Sequence, residues 1–261
     1  MLILNVFYLK RGEDLHVETD GLVIKEQNVG ESDRLITILT SKYGVIRAFV
    51  RGGKSVKSKL LSGTQLLAYS DFTFFKGRDS YTVDGAIPKN VFFDLRSDID
   101  SLSIAFYLAE LCGELAPEND DSDEILRLLL NSVHLLTTKK ADRLLVKSVA
   151  ELRAMSISGY MPNLVACDGC GEFEAEMVYF NLQHGDFRCP DCNQGRIGIP
   201  IGVSTLTAMR HIIYSEPKKI FDFTLKDAAL NELSLVTEKF TLEQTGKHFK
   251  TLDFYKSLSQ I

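Results

Sequence analysis

Between residues 17 and 87 the hydrophobic positions recur with a period near two. Residues 21–25 (GLVIK), 34–40 (RLITILT) and Val45–Val50 (VIRAFV) are short runs of β-branched and aromatic side chains, the signature of strands. Lys42-Tyr43-Gly44 supplies a turn between the second and third. Residues 65–75 and 80–86 predict two more strands, joined by the tight turn Lys76-Gly77-Arg78-Asp79. Five short strands without an intervening helix predict an N-terminal five-stranded OB-fold barrel, and a five-stranded sandwich fragment fits the same pattern.

From Ser97 the period lengthens to that of a helix. Ile99, Leu102, Phe106 and Ala109 recur at spacings of three and four, with Pro117 just past the predicted end. A second helix opens after Ser122 with Ile125, Leu129, Val133 and Leu136 on one face. A third runs from about Asp142 to near Gly159, carrying Leu145, Val149 and Leu152. Ser204 reads as the N-cap of a helix bearing Leu206, Met209 and Ile213, and residues 227–242 repeat the pattern with Leu230, Leu233 and Phe240. These stripes read as core. The predicted class is therefore α+β multidomain. Residues 1–16 form an N-terminal extension without an assigned role, and 17–96 the barrel. Residues 97–165 and 198–261 form an α-helical domain, interrupted by an inserted ribbon at 166–197.

That ribbon holds the strongest chemical signal in the chain. Cys167-Asp168-Gly169-Cys170 and Cys189-Pro190-Asp191-Cys192 form C-x2-C-x18-C-x2-C, the spacing of a four-thiolate metal site. Four sulfurs complete a tetrahedron, which zinc accepts because its filled d-shell imposes no other geometry. A closed sulfur shell leaves no position for substrate, so one structural Zn2+ is expected, making the insert a zinc ribbon. Iron suits tetrahedral sulfur as well, and a four-cysteine iron redox or electron-transfer module is the rival reading. A zinc deaminase would need H-x-E and an open coordination position, which this pattern lacks. A disulfide pair would leave Cys112 over, and Cys112 itself sits in a predicted helix as a small hydrophobe.

Composition is that of an ordinary globular chain, 45% hydrophobic and 25% charged, and no run approaches the ~20 apolar residues of a membrane span. The first nine residues are apolar, but Lys10, Arg11, Glu13 and Asp14 follow at once, against a secretory signal. The formal net charge of −5 conceals a strong asymmetry. Between Arg34 and Ser70 there is no acidic residue, while Arg34, Lys42, Arg47, Arg51, Lys54, Lys57 and Lys59 contribute seven positive charges. Between Asp98 and Glu124 the pattern inverts to nine acidic residues and no Lys or Arg. The acidic run reads as a solvated loop leading into a helix N-terminus. The basic run spans strands and a Gly52-Gly53 loop, as in barrels that track nucleic-acid phosphates with basic side chains. Lys54, Lys57 and Lys59 project from that loop. An RNA-binding OB-fold protein shares these features.

Catalytic patterns are weak. Gly53-Lys54-Ser55 would need a glycine at position 48 to complete a P-loop, and that residue is Ala48. The five histidines have no recognisable nucleophile partners. Nothing in the sequence argues for an enzyme or for a small-molecule substrate.

Barrel, basic loop, helices and inserted knuckles in that order resemble the bacterial RecO family of recombination mediators. The resemblance is carried by Asp20-Gly21-Leu-Val-Ile-Lys25, Gly30-Glu31-Ser32-Asp33-Arg34-Leu35, Tyr43-Gly44, Arg51-Gly52-Gly53-Lys54, Gly159-Tyr160-Met161-Pro162 and the two knuckles. It covers about residues 17–258. It implies a non-enzymatic protein that binds single- and double-stranded DNA and anneals complementary strands, with Arg34, Arg47, Arg51, Lys54, Lys57 and Lys59 as the candidate phosphate contacts. It also implies a complex with RecR and loading of RecA onto strands coated by single-strand binding protein (SSB). The implied location is cytoplasmic and nucleoid-associated, without membrane contact. The first sixteen residues and the weakly basic C-terminus depart from the family pattern.

Overall fold

The computed structural model describes residues 16–78, 80–118, 120–195 and 197–258. All of the expected N-terminal extension except His16, and Asp79 of the predicted turn, lie outside the described residues. The chain falls into two compact units. One runs to Ile38 and resumes over Ile46–Val91; the other takes Leu39–Val45 and everything from Phe92.

The first unit is a five-stranded sheet of β1 (His16–Val29), β2 (Asp33–Thr40), β3 (Val45–Val50), β4 (Tyr69–Lys76) and β5 (Tyr81–Asn90). The spatial order is β1-β2-β3-β5-β4, and β4 pairs back onto β1 from His16↔Phe75 to Leu22↔Tyr69, so the sheet closes on itself. β3 and β5 run parallel, with Ala48 opposite Tyr81 and Phe49 opposite Thr82. Alternation decides which side chains fill the interior. Leu22, Ile36, Ile38, Ala48, Val50, Phe72, Phe74 and Val83 are buried there, and the Phe72 and Phe74 rings stack at 5.4 Å. The fourth strand begins later than predicted. Residues 62–64 form a short 3-10 turn, and Leu67 turns the backbone left-handed at φ 62° before β4 can start.

The second unit is helical, with a small sheet inserted. The helices are α1 (Ile99–Leu115), α2 (Asp123–Thr138), α3 (Arg143–Ile157), α4 (Val203–Tyr214), α5 (Asp227–Thr245) and α6 (Lys250–Leu258). Asp98 caps α1 by accepting the Ser101 N–H, and Asp142 caps α3 by accepting from Leu144 and Leu145. Leu108, Leu129, Val133, Val149, Leu152 and Phe240 are all buried. Ser204 is not the N-cap of α4 but its second residue. Gly202 holds that position, its N–H donated to Glu232 Oε2 of α5 at 2.9 Å. A sixth helix, α6, follows the predicted five. Between α3 and α4, strands β6 (Met177–Asn181), β7 (Asp186–Arg188) and β8 (Ile199–Gly202) form an antiparallel sheet in the order β7-β6-β8. No described helix is long and apolar enough to cross a membrane.

Candidate nucleic-acid interface and metal centre

The basic segment is the connection from β3 to β4. Because β5 lies between those strands, the chain must cross to reach its place in the sheet. Gly52 starts the crossing at φ +60°, a conformation that a side chain disfavours. Gly53 follows, packed so closely that a Cβ would lie 2.9 Å from the Val50 carbonyl oxygen and 3.1 Å from Arg34 Nε.

Two consecutive residues of β2 hold this crossing at both ends. At the near end Asp33 Oδ1 accepts the Gly52 N–H at 2.8 Å, and the Lys54 N–H donates to the Ser32 carbonyl at 3.0 Å. Lys54 Nζ reaches the Gly30 carbonyl at 2.7 Å. At the far end Arg34 Nη2 donates to Thr64 Oγ1 at 2.6 Å, and Thr64 Oγ1 donates to the Leu60 carbonyl. Arg34 Nη1 meets Glu26 Oε2 at 3.1 Å.

The six candidate phosphate contacts therefore separate by position. Arg34 is 7% exposed and ion-paired, so its charge is directed inward. Lys54 is half-buried and engaged with the β1–β2 turn. Arg47, Arg51, Lys57 and Lys59 are exposed, and among the described residues none of these four forms an ion pair. Sequence reasoning passed over Asp33 as a functional residue. Its place before Arg34 in the Gly30–Leu35 run was the available signal.

The four cysteines converge as their spacing predicts. The four Sγ atoms all lie within 4.8 Å of one another. Gly169 makes this possible, since a Cβ there would fall 2.8 Å from Cys192 Cβ and 2.9 Å from its sulfur. Cys167 Sγ accepts N–H groups of Cys189 at 3.2 Å and Gly169 at 3.4 Å. Burial opposes its ionisation, but these donors outweigh burial and bring the thiol down to about 6. The neighbouring sulfurs of Cys170 and Cys189 push Cys192 up to about 12. Four thiols this close together, with one predisposed to ionise, form a donor set that could hold one metal ion, and four thiolates would fill a tetrahedral shell. Cys112 lies apart in α1, fully buried, and burial raises its thiol to about 12. Arg210 of α4 anchors the base of the ribbon. It donates from Nε to the Leu164 carbonyl at 2.7 Å and from Nη2 to those of Val165 and Phe173, and stacks on the Phe173 ring at 4.1 Å.

Comparison with known proteins agrees with this architecture. The family model for the recombination protein O N-terminal region matches residues 15–92, and that for its C-terminal region matches 96–253. A DNA repair protein RecO of Acetivibrio thermocellus is 34% identical over 247 residues, covering 94% of this chain and 98% of that protein. The RecO protein of Alkaliphilus metalliredigens is 30% identical over 244 residues, covering 93% and 99%. That of Dehalococcoides mccartyi is 30% identical over 240 residues, covering 90% and 94%. A closed sheet joined to a helical unit is thus the architecture of a DNA repair and recombination protein. The chain belongs to the RecO family.

Proposed function

We propose that this protein is a non-enzymatic recombination mediator. It binds single- and double-stranded DNA, anneals complementary strands and, with RecR, helps to load RecA onto SSB-coated strands. The order β1-β2-β3-β5-β4 with a parallel β3–β5 pair supports assigning residues 17–96 to an OB-fold. The observation that carries the reading is the crossing segment, where exposed Arg51, Lys57 and Lys59 stand on a backbone anchored at both ends, next to exposed Arg47 of β3, in a run without a single carboxylate. Such a surface neutralises phosphates and releases counterions, the main source of sequence-independent affinity.

Annealing needs no covalent step. Screening phosphate repulsion lowers the barrier to pairing, and the duplex formed supplies the driving force. On this reading Arg47, Arg51, Lys57 and Lys59 touch phosphates, Lys54 joins them by releasing Gly30, and Arg34 acts by positioning the loop. The four cysteines hold one structural zinc. Elemental analysis tests this, and a strong visible absorption would indicate ferric thiolate instead.

The deciding experiment is annealing of complementary DNA strands, bare and SSB-coated, without nucleotide. Acceleration on coated strands is the expected result, and failure on both would refute the mediator reading. Alanine at Lys57 and Lys59 flattens the slope of log K against log salt by about 0.7 per lost contact on single strands.

A further inference from the structure

Along β3 the burial alternates residue by residue. Ile46, Ala48 and Val50 face the interior, Arg47 is exposed and Phe49 half-buried. Residues two apart on a strand share a face, so Arg47 and Phe49 form an outward pair about 7 Å apart, and exposed Arg51 opens the turn one residue past the strand end.

The other aromatic side chains of the five strands are already engaged. Phe72 and Phe74 stack inside the sheet. Tyr69 donates its hydroxyl to Asp20 and carries Lys89 on its face. Phe75 meets His16, and Tyr81 lies under Lys76. Among the described residues, Phe49 alone of these rings has neither an aromatic nor a cationic partner. It also stands between two arginines without ion pairs.

A half-buried ring flanked by two exposed guanidinium groups fits one class of ligand. Its apolar face suits an unstacked base, and the flanking cations suit the phosphates on either side. We propose that Phe49 is a stacking platform for an unpaired nucleobase, with Arg47 and Arg51 on the adjoining phosphates. The inference rests on reading the basic segment as a DNA surface, and it adds a preference for single strands. Bases inside a duplex present no free face to the ring.

The chain contains no tryptophan, so Phe49→Trp introduces a single fluorescent reporter. Full-length F49W keeps an aromatic face at this position, and its emission is expected to be quenched when oligo(dT) binds. Phe49→Leu keeps an apolar side chain but removes the π-face. It is expected to bind oligo(dT) about tenfold more weakly, with an unchanged salt slope because no ionic contact is lost. Its affinity for duplex is expected to match the native value. Native oligo(dT) affinity in a folded F49L protein, or unquenched emission from F49W bound to oligo(dT), would overturn the proposal. Equal losses on duplex and single strand would overturn it too. Failure of the underlying DNA reading is seen separately, as a native salt slope that K57A and K59A leave unchanged.

Discussion

Asp33 Oδ1 accepts the Gly52 N–H at 2.8 Å, joining the first residue of β2 to the first left-handed turn of the basic crossing. The same oxygen takes the Ser32 hydroxyl at 3.0 Å. A carboxylate thus sits at the root of a cationic loop, where it organises backbone. Its charge still lowers the net positive potential there, a cost offset by order in the loop.

This junction has an acid limit. The Gly52 N–H, then the Ser32 hydroxyl, hold the Asp33 carboxyl below its ordinary 3.8, against a smaller opposing effect of burial. A depressed folded value means that the contribution is full above the unfolded carboxyl range and is lost as pH falls through the folded value. The Gly52 amide resonance is expected to titrate with a midpoint below 3.8. Asp33→Ala should abolish that titration and weaken single-strand binding without changing the salt slope.

Arg34 provides a contrasting test on the adjacent residue. Its guanidinium is buried on Glu26 and Thr64, so Arg34→Ala removes hydrogen bonds that tie β1 to the end of the crossing. A loss of about 1.5–3 kcal/mol is expected in urea unfolding of the first unit. The salt slope of DNA binding should stay at its native value, since an inward charge releases no counterion. A flatter slope would show that Arg34 reaches a phosphate.

Gly169→Ala separates geometry from ligand chemistry at the ribbon. All four thiols remain, but the new Cβ would lie 2.8 Å from Cys192 Cβ. Metal content should fall below one ion per chain, and amide exchange in β6, β7 and β8 should rise. DNA affinity of the first unit should be kept. Cys167→Ser should act in the same direction and more strongly, because a thiolate itself is lost.

Metal uptake should also depend on acid. Thiolates are the binding species, and Cys167 has its thiol lowered to about 6. Below that pH this thiolate is protonated, so uptake of Zn2+ by chelator-stripped protein should weaken steeply. Flat uptake between about pH 5 and 7 would contradict this role for Cys167.

Inside the second unit, Lys147 has its ammonium 2.8 Å from Glu151 Oε1 and 3.0 Å from Glu238 Oε2, with no exposed surface. Burial works against the cation, but the two carboxylates outweigh it and hold Lys147 above its ordinary value. Glu151 also accepts the hydroxyls of Tyr107 and Thr237, and Glu238 pairs with Lys256. Lys147→Met should cost about 3–5 kcal/mol in denaturant unfolding, because it strands a buried charge. K147M combined with Glu151→Leu should recover part of that loss, since Glu238 keeps Lys256.

The strands of the first unit were legible because a half-buried strand repeats every two residues, and β2 and β3 repeat clearly. The metal ligands were legible because knuckle spacing is local. The crossing was harder to read. Its 3-10 turn and left-handed Leu67 depend on closing the sheet, not on neighbouring residues. Arg34 read as a surface cation because sequence records charge and not burial, and only the fold brings Thr64 beneath it. Ser204 looked like a cap, yet Gly202 took that place through Glu232, thirty positions away. Helix α6 escaped notice because only Leu252 of its nine residues is buried, too few to show a period.

The parallel pairing of β3 with β5 has an evolutionary consequence. A connection that must pass over one strand to reach the next cannot be trimmed to a hairpin without opening the sheet. The segment bearing Lys54, Lys57 and Lys59 is therefore compulsory for folding, whatever it binds. Lineages can exchange its side chains but cannot delete the ribbon of backbone that displays them, so selection for a closed sheet also preserves a place on which affinity, for DNA on the reading proposed above, can be raised, lowered or regained by single substitutions.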